Sequence, residues 1–203
     1  MPSVYDLKPR FQELLRPLCC RLAAAGVTAN QVTLYALLLS AAHGAWIGLT
    51  GGSLAALLAL PATLLVRMAL NAVDGMLARE HGMQSPLGAL FNETGDMLSD
   101  AALYLPFALI AGIDPLAVVT ALVLALIAEA TGILGLSLAA TRRYDGPWGK
   151  SDRAISFAAL ALLIAAVGPT TAGSVAWLFV PLAVITLVNR GRKIVHGAAE
   201  ASR

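Results

Sequence analysis

The sequence predicts an all-α integral membrane protein with six transmembrane helices, an N-terminal amphipathic interfacial helix, and both termini in the cytoplasm. Three observations lead there. The 203 residues are 58% hydrophobic and only 13% charged, with a mean hydropathy of +0.76. A soluble domain of this length lacks the polar surface to cover so much apolar area. Lipid as solvent removes that difficulty, and a helix satisfies its own backbone groups there. The apolar residues also fall into six separate segments, and the basic residues between them gather on alternate connections.

The first element, residues 1–27, reads as an amphipathic juxtamembrane helix ahead of a membrane domain over 28–203. Val4, Leu7, Phe11, Leu14, Leu15, Leu18 and Leu22 recur at helical spacing, with Lys8, Arg10, Arg16 and Arg21 among and opposite them. Such a helix suits either the membrane surface or the protein's own inner end. Pro9 and Pro17 are expected to kink or divide it. The adjacent Cys19 and Cys20 form neither a disulfide framework nor a metal motif. Charges throughout the first twenty residues argue against a cleavable signal. Gly26 to Asn30 breaks the helix and offers Thr28 or Asn30 as the next N-cap.

The six apolar segments lie near 32–49, 54–79, 87–111, 115–140, 154–167 and 173–189. Most approach the roughly 20 residues that cross a hydrocarbon core; the fifth is short and needs flanking residues or a locally thinner bilayer. Gly51–Gly52, Gly112–Pro115 and Gly168–Pro169 supply the turns on one side, where Asp114 stands without any lysine or arginine. The other side collects Arg79, Arg142, Arg143, Lys150, Arg153, Arg190, Arg192 and Lys193, together with the basic first helix. The positive-inside rule places that side, and both termini, in the cytoplasm, and an even number of crossings follows.

Polar residues concentrate in the second and third segments. Asn71, Asp74 and Ala78 share one helix face, while Gly88, Asn92, Asp96 and Asp100 repeat every four residues on the next helix. A short connection makes these helices antiparallel neighbours, so Asn71 and Asp96 both lie roughly 12 Å from the turn at about 1.5 Å per residue. Charges in a span are costly and ask for partners. Oxygen ligands gathered at one depth suit a hard divalent cation, Mg2+ or Mn2+, and hence phosphate chemistry. Gly75, Ala78 and Gly88 leave room for a bulky ligand, and Arg79 offers a phosphate fork. The bland reading is a polar network that glues helices together. Arg67 has two candidate partners, Asp100 at matched depth and Glu129 in the fourth segment; His43 reads as a helix contact only.

These residues resemble the CDP-alcohol phosphatidyltransferase family, whose signature runs Asp-x2-Asp-Gly-x2-Ala-Arg-x8-Gly-x3-Asp-x3-Asp. Every spacing is matched, including the eight residues between Arg79 and Gly88, and Asp74, Gly75, Ala78, Arg79, Gly88 and Asp96 are identical to it. Thr28-Ala29-Asn30-Gln31-Val32-Thr33 is similar to the family's Thr-Pro-Asn-x-x-Thr entry to the first span, with Ala29 in place of proline. The resemblance implies transfer of a phosphatidyl or phosphoalcohol group from a CDP-activated lipid, CDP-diacylglycerol foremost, to a polar alcohol with release of CMP. It implies metal ligands at Asn71, Asp74, Asn92 and Asp96, with Asp100 a further candidate. Nucleotide contacts fall to Asp74, Gly75, Ala78, Arg79 and Gly88, and the general base to Asp96. Arg153, and then Arg142, Arg143 and Lys150, are the candidates for an acceptor's phosphate.

Asn71 and Asn92 replace the first and third signature aspartates. Four aspartates would bring a formal charge of −4, whereas two aspartates and two asparagines bring −2. One firm divalent ion is therefore expected, and a second weak or missing. Two other readings stay open here: a relative that binds CDP-lipid or metal with little catalysis, and a small ion-coupled transporter. Membrane lipids are expected neighbours, and nucleic acid is not an expected partner. A homodimer follows from the resemblance, with Gly44, Gly48, Ala55 and Ala56 available for close helix contacts.

Overall fold

The computed structural model describes residues 4–201, with side-chain surroundings given for residues 10–199. Among them the chain is helical without strands. Eight α-helices follow in order: α1 Val4–Ala24, α2 Ala29–Leu49, α3 Leu54–Glu80, α4 Pro86–Tyr104, α5 Pro115–Ala139, α6 Lys150–Val167, α7 Pro169–Ala172 and α8 Phe179–Ala201. Tight 3-10 turns at Leu105–Leu109 and Gly173–Leu178 complete the set.

Four stretches are long and apolar enough to cross a membrane by length and composition: Ala29–Leu49, Leu54–Glu80, Pro115–Ala139 and Pro169–Ala199. The expected count of six meets four for a physical reason. Helix α4 carries Glu93, Asp96 and Asp100, and the 18 residues of α6 open with Lys150, Asp152 and Arg153. The expected span 87–111 is also interrupted after Tyr104, where Pro106 lacks the donor that an α-helical ladder requires. The last helix, α8, runs on past the expected end of the sixth segment to Ala201.

Local chemistry fixes the helix ends. Thr28 and Gln31 form a reciprocal capping box, with Thr28 N donating to Gln31 Oε1 at 2.9 Å and Gln31 N donating to Thr28 Oγ1 at 3.3 Å. Helix α3 ends with Gly82 at φ +68° and Met83 N donating to the Ala78 carbonyl at 3.1 Å, a Schellman closure. Ser85 then caps α4, its Oγ accepting from Gly88 N at 2.9 Å, and Pro86 opens the helix. Two successive stop and start signals thus turn the chain between the two motif-bearing helices within a few residues.

The chain divides into two compact units: residues 1–43 with 61–100, and residues 44–60 with 101–203. In the first, Cys19, Ala29, Val32, Val73, Met76 and Leu77 form a buried cluster, joined by Leu15, Leu22 and Ala23 of α1. One edge of α1 therefore docks on protein, while Leu14 and Leu18 stay exposed. That packing on both sides of Pro17 holds α1 as one continuous helix, so neither proline divides it. The parts assigned to Val4, Leu7, Lys8 and Pro9 side chains lie outside the described residues. Cys19 acts as a small apolar core residue, and burial pushes its thiol pKa up.

In the second unit α5 packs along α8. Tyr104 stacks on Phe157 with centroids 4.2 Å apart, and Phe179 stacks on Trp148 at 5.2 Å. Gly44 lies directly against the Ala102 carbonyl, and Ala56 is fully buried. Gly44 and Ala56 make close packing contacts inside the unit, and Gly48 lies half-buried beside Leu109 and Pro106.

A Cβ at Gly44 would collide with backbone, whereas one at Gly48 would meet the Leu109 Cδ1 methyl at 3.3 Å and Pro106 Cβ at 3.5 Å. Gly44→Ala should therefore cost about 1–3 kcal/mol through overpacking. Gly48→Ala should be neutral or gain up to about 1 kcal/mol in helix propensity, since the Leu109 side chain can yield. Unfolding titrations in mixed micelles, run on both variants, measure the difference.

Candidate functional site

The first unit assembles the motif residues from three helices. Asp74 on α3 is only 4% exposed, and its Oδ2 accepts from Thr33 Oγ1 of α2 at 2.8 Å. Thr33 also donates to the Ala29 carbonyl at 3.2 Å, a shared donor that settles its rotamer. Its methyl lies 3.3 Å from where a Cβ on Gly95 would stand, so α4 approaches closely beside Asp96. Thr33 is therefore a bracket between the Asp74 carboxylate and the Asp96 turn. Sequence reading placed Thr33 in the entry motif without a role; only the fold brings it to Asp74.

One turn deeper, Arg67 of α3 donates to Asp100 Oδ1 of α4 at 2.6 Å, and to the Asp96 carbonyl at 3.3 Å. Both side chains are nearly inaccessible, at 4% and 1%. The matched-depth pairing is what the structure contains, and Glu129 has other partners. Asp100 is thus committed to an arginine, which weakens its standing as a metal ligand. His43 keeps to a helix contact, with Nδ1 2.8 Å from Thr63 Oγ1. On the exposed rim, Arg16 lies 3.4 Å from Glu80, a pair worth little where water screens it.

Asn71, Asn92 and Asp96 are partly accessible, whereas Asp74 is buried. Among the described residues no three carboxylate, histidine or cysteine side chains gather as a metal cluster. The two asparagines explain this: the stripe supplies two carboxylates and two amide oxygens. That all-oxygen set fits a hard divalent cation and fits no soft metal. The glycines form the adjoining cradle. The Arg79 guanidinium folds over Gly75, where a Cβ would sit 3.0 Å from its Nη2. A Cβ on Gly88 would meet Asn30 Oδ1 and Ser85 Oγ, each at 3.0 Å. Arg79 is exposed, and Ala78 packs half-buried against the core cluster.

The sequence profile of the CDP-alcohol phosphatidyltransferase family matches residues 26–188. The chain belongs to that family. It is 41% identical over 200 residues to the inner membrane protein YnbA of Escherichia coli, covering 98% of this chain and 99% of that protein. It is 34% identical over 164 residues to an archaetidylinositol phosphate synthase of Aeropyrum pernix, covering 81% of this chain and 79% of the relative. Its fold is that of the Mycobacterium tuberculosis phosphatidylinositol phosphate synthase solved with CDP-DAG bound. That likeness has a TM-score of 0.74 at 21% identity and covers 88% of this chain and 92% of the other. The same enzyme, solved with manganese and citrate, matches with the same TM-score and identity, over 88% of this chain and 87% of the other. This phosphatidyltransferase relative is accordingly a multi-pass membrane protein.

The basic candidates lie in the second unit. Arg142 Nη2 donates to Glu129 Oε1 at 2.8 Å, while Arg153 Nη2 and Arg190 Nη1 reach Glu129 Oε2 at 3.5 and 3.3 Å. Arg142 also lies over the Tyr144 ring, 4.8 Å from its centroid. Arg190, counted before only as a charge marking one side, is a buried member of this cluster. No local sequence signal distinguishes it from Arg192, because the difference lies in which way the helix faces. Arg143 lines a separate cleft of about 370 Å³ with Arg192, Lys193, His196 and Gly197. Lys150 begins α6 and is half-buried. Lys193 pairs with Asp145 at 2.7 Å, and that hydrogen bond holds the Asp145 carboxyl below its usual range.

Replacing Arg67 by Met would leave Asp100 as a buried charge without its guanidinium, at a cost of about 3–5 kcal/mol. The double variant Arg67→Met with Asp100→Leu should recover most of that loss. A double-mutant cycle of micellar unfolding free energies measures the coupling.

Proposed function

We propose that the chain is a divalent-metal-dependent transferase that moves a phosphatidyl group from a CDP-alcohol, CDP-diacylglycerol foremost, to the hydroxyl of a polar acceptor. The observation that carries this reading is the complete motif spacing on α3 and α4, with Asp74 held by Thr33 and Asp96 left partly accessible on α4. The solved relative with CDP-DAG bound supports the donor class.

Asn71, Asp74, Asn92 and Asp96 are the proposed cation ligands, with Asp100 left to Arg67. When bound, the cation supplies charge compensation for the pyrophosphate and the departing CMP. Gly75, Ala78 and Gly88 let the nucleotide approach the helix backbone, and Arg79 presents a fork to its phosphate. Asn30, against Gly88, joins this set as a polar neighbour. Asp96 accepts the proton of the acceptor hydroxyl as its oxygen attacks the lipid-side phosphorus. The bond from that phosphorus to the CMP oxygen breaks, CMP leaves with the electron pair, and the acceptor becomes the new head group. Arg143 and Lys150 are the basic residues proposed to meet the acceptor, with Arg142 and Arg153 held by Glu129.

Six crossings, with α4 and α6 completing the four apolar stretches, are part of the same proposal. Asp96 and Asp100 then face protein rather than lipid, and the basic connections lie in the cytoplasm. The acceptor arrives from that side, while the donor keeps its chains in the bilayer.

Mn2+ titration followed by electron paramagnetic resonance should saturate at one tight ion per chain; two tight ions would refute the single-ion assignment. CMP release from CDP-diacylglycerol should require Mg2+ or Mn2+. Asp96→Asn should abolish that release, a loss of about 100-fold or more for a general base, while donor binding stays near the wild-type level. Full turnover in that variant would remove Asp96 from the role.

A further inference from the structure

Glu129 is the single charged residue in the 25 residues of α5, a helix among the four stretches apolar enough to cross a membrane. Its side chain is 8% exposed, and both carboxylate oxygens are occupied. Arg142, Arg153 and Arg190 converge on it from the connection after α5, from α6 and from α8. The Arg153 and Arg190 side chains are each 2% exposed. Three guanidinium groups brought to one point repel one another unless an anion lies between them. Their planar forks match a carboxylate or a phosphate equally well.

The receptacle is built firmly. Arg190 is fixed by bonds from Nη1 to the Ala128 carbonyl at 2.8 Å and from Nε to the Asp145 carbonyl at 3.3 Å. The connection carrying Arg142 folds back onto α5, with Arg143 N donating to the Gly132 carbonyl at 3.1 Å and Thr141 N to that of Gly135 at 3.2 Å. A Cβ on Gly132 would fall 2.5 Å from the Arg143 carbonyl oxygen, so this approach needs glycine. Arg153 stands in the first turn of α6, whose start is held by Gly149 N donating to Asp152 Oδ2 at 2.9 Å. Three separately anchored arginines around a point are what a protein uses to grip a phosphate. Here the chain supplies its own anion to that point.

We propose that Glu129 is a specificity-determining residue, a resident carboxylate that fills the Arg142, Arg153 and Arg190 receptacle and directs the protein to an acceptor alcohol bearing no phosphate. The acceptor half of this statement rests on the transferase reading; the occupancy of the receptacle does not. A phosphate entering beside Glu129 meets a like charge at contact distance and finds Arg142 Nη2, Arg153 Nη2 and Arg190 Nη1 already engaged. An uncharged polyol or an amino alcohol carries no such penalty.

Glu129→Gln keeps the shape and removes the charge. Inorganic phosphate is the probe, compared with sodium chloride at equal ionic strength, and thermal stability in detergent is the readout. E129Q should respond to phosphate with an apparent affinity about tenfold or more tighter than wild type, from loss of the like-charge repulsion. Adding Arg153→Gln to E129Q should abolish the gain, which separates this receptacle from the cleft around Arg143 and Arg192. Equal phosphate responses in wild type and E129Q, or a gain that survives loss of Arg153, would overturn the proposal. The wild-type protein supplies a second measurement that needs no variant. With CDP-diacylglycerol it should release CMP with glycerol, inositol or serine in preference to glycerol phosphate or inositol phosphate, and the reverse preference would overturn the proposal. No CMP release with any acceptor tells against the transferase reading, and the phosphate comparison then decides the role of Glu129 alone.

Discussion

Charge inside apolar helices organises this protein, because each buried ion needs a polar or charged partner at the same depth. In the first unit the meeting is between Arg67 and Asp100, at 2.6 Å and almost fully buried. It joins α3 to α4, and the bond from Arg67 to the Asp96 carbonyl fixes the neighbouring turn. The register of the two motif helices follows from that pair. A slide of one helical turn, about 5.4 Å, would strand two charges in a medium that does not solvate them. In the second unit Glu129 plays the organising part, drawing arginines from three separate segments. The same rule therefore yields a one-to-one clasp in one unit and a three-to-one cluster in the other.

Small residues make these meetings feasible. Gly95 admits Thr33 beside Asp96, Gly75 admits the Arg79 guanidinium, and Gly132 admits the carbonyl of Arg143. Each removes one side chain where part of a neighbour has to stand. The helix ends serve the same purpose from outside the spans. The Schellman closure at Gly82 and the Ser85 cap turn the chain from α3 into α4 within a few residues. Glycine costs conformational entropy in a helix; at Gly132 a Cβ would collide with backbone, while at Gly75 and Gly95 it would press on a neighbouring side chain.

The stripe itself is electrically lighter than the family signature, with two carboxylates rather than four. Fewer like charges at one depth need less compensation, and the structure reflects this in the absence of a carboxylate cluster among the described residues. Asp74 gains a hydroxyl donor from Thr33, while Asp100 is neutralised by Arg67. The balance leaves Asp96 as the motif carboxylate with access to solvent. Chemistry that needs one cation and one base fits this arrangement without further charge.

Much of this was legible in the residues. Apolar runs and their turn signals gave most of the helices, since lipid permits little else, and the motif spacing placed Asn71 and Asp74 on α3 and Asn92 and Asp96 on α4. Matched depth named Asp100 as one of two candidate partners for Arg67, beside Glu129, because helical rise converts residue count into distance. What the residues did not disclose was the partner of Thr33, the docking of α1 through Cys19, the break at Pro106, or the gathering of Arg142, Arg153 and Arg190 on Glu129. Periodicity along one helix determines which side chains share a face. Which face of another helix they meet depends on packing among segments far apart in the chain, and only the tertiary structure decides that.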